Sequence, residues 1–533
     1  MSSSEKQIHN IEQMSWLADY PAIGAQRFSD KAAIISDNGS YTYRELDEAC
    51  DRFAAFLKQQ GFTPGTRIAY LGKNSHLFFP VLFGCLRSGV VLVPINWRCT
   101  GTEIGYILQN STSALLIHDQ EFSEATREAT EKAGTSIATL PTSGDAARTL
   151  DRILNDASIP ARKSNELYLD ECALQMYTSG TTGQPKGVML SQRALSIARH
   201  IELDTPAWDD WTSDDIILSA MPNFHVGGLT WMLIGLLRSL TCILTADPSP
   251  ANLLRLSQQQ HVTRTFMVPT AISSLLDLIK KSHLPAPQLK SIFYGASTMD
   301  VHLLKECIET FGCGFGQYFG MTENCGSVTF LPPVSHDIAR PELLRSVGKA
   351  LPGMSIEIRD DNCVPLPANT PGEIWVKSPC IMIGYWKHAE ATAEVLVDGW
   401  YKTGDGGYLD AEGYLYLTDR IKDMIVSGGE NIYPAEVEQV LRLHPAIRDL
   451  VIVGIPDKPW GESVAAIIEW NEGCAATVEE LRTFARKHIA GYKLPKLLQA
   501  VTALPRTATG KLQRAEVRRR IKSGDIPLAG TPT

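Results

Sequence analysis

The run Tyr177-Thr178-Ser179-Gly180-Thr181-Thr182-Gly183-Gln184-Pro185-Lys186-Gly187 packs four Ser/Thr hydroxyls, three glycines and one lysine into eleven residues. Glycine lets the backbone bend and approach a ligand closely. Hydroxyls and free N–H groups then point at anionic oxygens, and a lysine adds a point charge. This chemistry suits a polyphosphate held while one phosphorus is attacked. The order is not that of the common nucleotide loop G-x-x-x-x-G-K-[ST], because Gly187 follows Lys186. A flexible Ser/Thr/Gly linker has a similar composition. Here, however, the apolar stretches Leu174 to Tyr177 and Val188 to Leu190 flank the run. Strand, glycine loop, then strand or helix is a site geometry.

Other strings carry chemistry less plainly. His225 lies on a glycine-bordered loop, Met221-Pro222-Asn223-Phe224-His225-Val226-Gly227-Gly228, and taken alone reads as a core histidine. Tyr294-Gly295-Ala296-Ser297 follows an apolar strand, where bare backbone would let a flat ring lie against it. Asp405, in Trp400-Tyr401-Lys402-Thr403-Gly404-Asp405, stands at a glycine-rich turn, and binding residues favour loops on rigid scaffolds. Lys511 follows Gly510 just ahead of Arg514, Arg518, Arg519 and Arg520, a run that by itself reads as a solvated helix face.

In order, and from about Tyr41 to Arg514, these strings resemble the motifs of the adenylate-forming enzymes, which include acyl-CoA and aryl-CoA synthetases, firefly luciferase and stand-alone adenylation domains. The resemblance implies a role for each. Thr178, Ser179, Gly180, Thr181, Thr182, Gly183 and Lys186 would hold the nucleotide phosphates. His225 would be an aromatic gate between the carboxylate pocket and the thiol tunnel, with Val226 and Gly227 lining the acyl pocket. Amino-acid-activating relatives usually carry an Asp beside that gate. Val226 stands there, so a buried substrate ammonium would lack a partner. Gly295, Ala296 and Ser297 would form one wall of the adenine site, and Gln317, Tyr318 and Phe319 the other. Phe319 replaces the usual stacking Tyr. Thr322 would contact the α-phosphate. Glu323 would ligate Mg2+, as a hard oxygen donor suits a cation that also holds phosphates. Tyr318 replaces a glycine of many relatives and would shorten or reshape the acyl pocket. Asp405 and Arg420 would meet the ribose, and Lys422 would be the hinge. Gly428 and Gly429, in Ser427-Gly428-Gly429-Glu430-Asn431-Ile432-Tyr433-Pro434, would face the pantetheine tunnel. Trp460 would pack on the CoA nucleotide, and Lys511 would be the adenylation lysine.

The implied enzyme is an ATP-dependent, AMP-forming acyl-CoA synthetase using ATP, Mg2+ and coenzyme A. Its acid would be a medium- to long-chain fatty acid or a substituted aliphatic acid. The alternatives are an aryl-CoA ligase for benzoate- or coumarate-like acids and an acyl-AMP ligase that loads a carrier protein.

Elements must position these residues. Thr42 followed by Glu45 is a capping box, and Ala49, Phe53, Ala54 and Leu57 continue at helical spacing. Arg67 to Leu71 reads as a strand, Val81 to Leu86 as part of a helix, and Val90 to Pro94 as the next strand. Thr265 to Val268 and Ile292 to Tyr294 repeat the unit. Such alternation builds a parallel sheet covered on both faces. After about Leu351 strands shorten and turns multiply, which suggests a barrel-like portion. Pro434 opens a helix with Glu436 and Glu438 in its first turn, and Leu450 to Ile455 is a strand. The expected fold is therefore α/β. Residues 1–421 would form a large N-terminal domain of parallel α/β sheets plus the small barrel-like portion, and residues 422–533 a small mobile α+β domain.

Composition narrows the class. The chain has 533 residues, 44% hydrophobic and 20% charged, as in a globular enzyme. A net charge of −9 argues against nucleic acid as a partner. Eleven cysteines without a C-x-x-C spacing, and no leader at the start, read as a reduced, cytoplasmic chain. Residues 216–237 lack Asp, Glu, Lys and Arg, but Pro222, Asn223, His225 and two glycines interrupt them. That argues for two buried segments joined by a loop rather than a transmembrane helix. The tail from Ser523 to Thr533 reads as disordered. The assembly state stays open, a homodimer being one candidate.

Overall fold

The computed structural model describes residues 14–134, 137–159, 167–178, 185–205, 210–297, 299–420, 423, 425–427, 430–457, 461–489, 491–507 and 512–528. The chain divides into two compact units, Met1–Ser355 with Val376–Tyr401, and Ile356–Trp375 with Lys402–Thr533.

The first unit is built on two mixed sheets. One has nine strands among the described residues. Its centre is parallel: Ile216–Ser219, Arg264–Met267, Ser291–Gly295 and Gly314–Met321 lie side by side, with Gly326–Leu331 antiparallel to the last. The other has seven strands, in which Arg67–Leu71, Val91–Ile95, Leu115–His118 and Ala138–Pro141 run parallel. Cys172–Thr178 and Lys186–Ser191 form an antiparallel hairpin in it, so the strand after the glycine loop turns back beside the one before it. The parallel strands are apolar on both faces. Leu218, Met267, Ile292, Tyr294 and Phe315 join one buried cluster, and Ala69, Leu71, Val93, Ile95 and Leu116 another.

Local sequence signals act as expected. Thr42 and Glu45 form the reciprocal capping box of the helix Tyr43–Gln59. The uncharged stretch 216–237 resolves into the strand Ile216–Ser219, a loop, and the helix Val226–Leu237, whose residues are almost all buried. No described helix is long and apolar enough to cross a membrane.

The second unit carries short antiparallel strands, among them the part of the strand Trp400–Leu409 from Lys402 onward, beside Leu415–Arg420. It also carries an α+β portion around the hairpin of Ile447–Asp457 and Gly461–Trp470. Strand alternation gives this hairpin two cores. Leu450, Ile452, Val464 and Ala466 pack with Val437 and Leu441 on one face, and Val451, Val453, Ala465 and Ile467 with Val517 on the other. The second core also holds Ile526 at 6% exposure, and its N–H bonds the Arg520 carbonyl at 3.0 Å. The expectation of a disordered tail therefore fails at its first residues. A single isoleucine at the right register outweighs the Gly/Pro/Thr composition around it.

Candidate active site

The hairpin that bears the glycine run is held stiffly at both stems. Thr178 pairs with Lys186 and Tyr177 with Gly187. Below them Gln175 is fully buried. Its Oε1 accepts from Arg67 Nε at 3.0 Å and its Nε2 donates to the Tyr177 hydroxyl at 3.0 Å. That hydroxyl donates to Asn110 Oδ1 at 2.7 Å. A Cβ on Gly187 would lie 2.7 Å from Gln175 Nε2, so this glycine serves close packing of the stem rather than loop freedom. Tyr106 bonds the Pro185 carbonyl at 3.2 Å. Ser179, Gly180, Thr181, Thr182 and Gly183 lie outside the described residues.

Thr322 and Glu323 form the turn Thr322–Asn324 between the antiparallel strands Gly314–Met321 and Gly326–Leu331. The turn is tight: a Cβ on Gly320 would stand 2.0 Å from the Gly326 carbonyl, and Cys325 takes a left-handed φ of 54°. It is fastened from below by Arg199 on the helix Gln192–Leu203. Arg199 is fully buried, donates to the Cys325 carbonyl at 3.1 Å and pairs with the equally buried Glu202. It is fastened from the side by the segment Cys380 to Lys387. Met382 N–H donates to the Glu323 carbonyl at 2.7 Å, and the Tyr385 hydroxyl donates to Glu323 Oε1 at 3.0 Å. The Tyr385 ring lies 5.2 Å from Lys186 Nζ. The fold thus brings together Lys186 and Glu323, far apart in the chain, on one tyrosine.

His225 caps the helix Val226–Leu237, and its Nδ1 accepts the Gly227 N–H at 3.3 Å. That bond puts the ring proton of the neutral form on Nε2. Val226 is buried and Gly227 half-buried; a Cβ on Gly227 would meet Phe266 and His225 at ordinary contact distance. Gly295 also lies beside Phe266, and a Cβ there would stand 2.6 Å from the Tyr318 carbonyl. Ala296 has φ 65°, a strained setting for a non-glycine residue, and both it and Ser297 are exposed. Across the strand pair, Gln317 is buried and its Oε1 accepts from the Tyr294 hydroxyl at 3.2 Å. The same hydroxyl is 3.1 Å from His336 Nε2, and His336 Nδ1 is 3.0 Å from the Pro332 carbonyl. Burial pushes His336 down to about 4, so it stays neutral.

On the opposite face of that sheet Tyr318 stacks on Phe330 at 4.4 Å between ring centroids, and beside Phe293 at 6.0 Å. Trp231 and Phe266 extend the layer. Phe319 is half-buried.

In the second unit Asp405 and Arg420 fall opposite each other on paired strands. The Asp405 N–H donates to Thr403 Oγ1 at 3.0 Å, and Gly404 turns with φ 70°. Lys422, Gly428, Gly429, Trp460 and Lys511 lie outside the described residues. Tyr385, Arg199 and Gln175 escaped the sequence reading. Each is ordinary in its local string, and its importance comes from contacts remote in the chain.

The family model described as "AMP-binding enzyme" matches residues 22–386, and its C-terminal-domain counterpart matches residues 436–511. The chain belongs to this family. As an AMP-binding enzyme it is an acid–thiol ligase, and it is 35% identical to the fatty acid–[acyl-carrier-protein] ligase ScoC of Streptomyces coeruleorubidus, over 95% of this chain and 97% of that one. It is 34% identical to a feruloyl-CoA synthase of an Amycolatopsis species, over 95% and 99% of the two chains. Its fold matches o-succinylbenzoate CoA synthetase from Bacillus subtilis in complex with its acyl-adenylate intermediate. That match has a TM-score of 0.82 at 30% identity and covers 94% and 98% of the two chains.

Proposed function

We propose that this AMP-binding enzyme is an ATP-dependent, AMP-forming acyl-CoA synthetase. The observation that carries the reading is the convergence of Lys186 and Glu323 on Tyr385, which sets a phosphate-seeking cation and a hard oxygen donor beside each other. A carboxylate is a poor acyl donor, so it is activated first. Its oxygen attacks the α-phosphorus of ATP and pyrophosphate leaves. Lys186, Thr322, the 178–183 loop and Lys511 offset the charge spreading over the phosphate oxygens. Glu323 fits Mg2+, which a single carboxylate commonly holds together with substrate phosphates. When bound, the cation supplies charge neutralisation at those phosphates. A thiol then attacks the acyl carbonyl and AMP leaves. An ordinary thiol has a pKa of about 8.5, so enough thiolate forms without a dedicated base. His225, with its proton on Nε2, acts as the gate to the thiol tunnel. Gly295–Ser297 and Gln317–Phe319 flank the adenine, and Asp405 with Arg420 takes the ribose. Rotation about Lys422 would let residues 422–533 present Lys511 for the first step and then Gly428, Gly429 and Trp460 to CoA.

For the acid, the Tyr318–Phe330 stack favours compact tails, ring-bearing or short to medium aliphatic, over long straight chains. This moves the aryl alternative up beside the fatty one. The likeness to ScoC supports carrier-protein loading as a second reading. Pyrophosphate release with Mg·ATP, across straight-chain, branched and aromatic acids with and without CoA, tests all three. CoA-dependent turnover supports the synthetase. A pyrophosphate burst indifferent to CoA points to a carrier protein.

A further inference from the structure

The segment Cys380 to Lys387 straps two parts of the site. On one side it follows the stem of the glycine loop: Ile383 N–H donates to the Met189 carbonyl at 2.9 Å, Tyr385 pairs with Val188, and Trp386 N–H donates to the Gly187 carbonyl at 2.8 Å. On the other side Met382 N–H holds the Glu323 carbonyl at 2.7 Å. Tyr385 occupies the middle at 8% exposure. Its backbone N–H bonds Thr392 Oγ1 at 2.9 Å, and its hydroxyl lies between Tyr401 and Glu323, donating to Glu323 Oε1 at 3.0 Å.

We propose that Tyr385 is a positioning residue for the metal–nucleotide: its hydroxyl orients the Glu323 carboxylate toward the cation, and its ring backs Lys186 toward the phosphates. The inference rests on the reading of Glu323 as the cation ligand. The terminal torsion of a glutamate is broad. A hydrogen bond to one oxygen narrows it, and partners of this kind commonly set metal affinity by about tenfold or more when removed. Phenylalanine would keep the ring over Lys186 and delete only the hydroxyl.

The test compares wild type, Tyr385→Phe, Tyr385→Leu, Glu323→Gln and the Tyr385→Phe/Glu323→Gln pair. Binding of Mn2+·ATP is read from the electron paramagnetic resonance of free Mn2+, ATP binding in EDTA by calorimetry, and folding by thermal melting. Tyr385→Phe is expected to weaken Mn2+·ATP about tenfold. It should leave metal-free ATP binding and the melting temperature near wild type, and it should add little once Glu323 is Gln. Tyr385→Leu should also weaken metal-free ATP binding. Wild-type Mn2+·ATP affinity in Tyr385→Phe, with Glu323→Gln impaired, overturns the inference and leaves the proposed function intact. So does an equal loss with and without metal, the mark of a merely structural role. Unchanged Mn2+·ATP affinity in Glu323→Gln removes the cation-ligand reading and the inference with it.

Discussion

Replacing Arg199 by Met separates what the buried pair does for folding from what it does for the Thr322–Asn324 turn. Arg199 and Glu202 have side-chain exposures of 0% and 2%, with Nε–Oε2 at 2.9 Å and Nη2 donating to Oε1 at 3.0 Å. Removing one member of such a pair leaves an uncompensated buried charge and costs about 3–5 kcal/mol. Replacing both, as Arg199→Met/Glu202→Leu, removes that charge and recovers most of the loss. The Cys325 carbonyl, however, still loses the donor now 3.1 Å away, at about 1–3 kcal/mol. That carbonyl directly follows the turn bearing Glu323. The double variant should therefore be less stable than wild type only by about the 1–3 kcal/mol of the unmet carbonyl, and it should form adenylate about tenfold more slowly, equivalent to ~1.4 kcal/mol of lost positioning. Urea unfolding followed by tryptophan fluorescence gives the first quantity and burst-phase pyrophosphate release the second. A loss below about 1 kcal/mol in Arg199→Met refutes the buried-pair argument. A double variant with full stability and full adenylation rate refutes the link to the turn.

Three further outcomes are expected. Tyr318→Ala removes the ring stacked on Phe330 and should shift the preferred straight-chain acid to longer chains, at a stability cost of about 3 kcal/mol; an unchanged chain-length profile in pyrophosphate release counts against a pocket-limiting Tyr318. His336 binds its proton at about 4 when folded against 6.5 ordinarily, so the unfolded chain protonates first as pH falls. Stability from this residue is present above pH 6.5 and is lost toward pH 4, by ~3 kcal/mol, and His336→Asn should flatten that part of a stability–pH curve. Lys511→Ala should nearly abolish adenylate formation yet leave thioester formation from supplied acyl-adenylate largely intact; equal loss of both half-reactions sinks the assigned role.

Much of the fold is legible because its signals are local. The Thr42–Glu45 capping box, the apolar strand Arg67–Leu71 and the Pro434 helix start each need only a few neighbouring residues. The interrupted stretch 216–237 reads correctly as two segments because Pro222 falls in the loop between the strand Ile216–Ser219 and the helix Val226–Leu237; Gly227 and Gly228, expected to interrupt it, instead lie in the first turn of that helix. Ile526 escaped notice because the groove that buries it is made by Val517 together with Val451 and Val453 of a strand remote in the chain.

The sequence by itself determined the chemistry: a hydroxyl- and glycine-rich run ending in Lys186, an acidic residue after Thr322, and an ordered set of strings that names an adenylate-forming ligase. These are properties of residue type and spacing, which need no third dimension. Tertiary structure alone decided which groups hold that chemistry in place. Tyr385 reaches Glu323 across 62 residues, and Arg199 reaches Cys325 across 126. Gln175 and Tyr318 do their work through what is stacked or bonded against them. Such partners are chosen by sheet register and burial, where an unmet donor or charge is costly. That cost is invisible until the chain has folded around them.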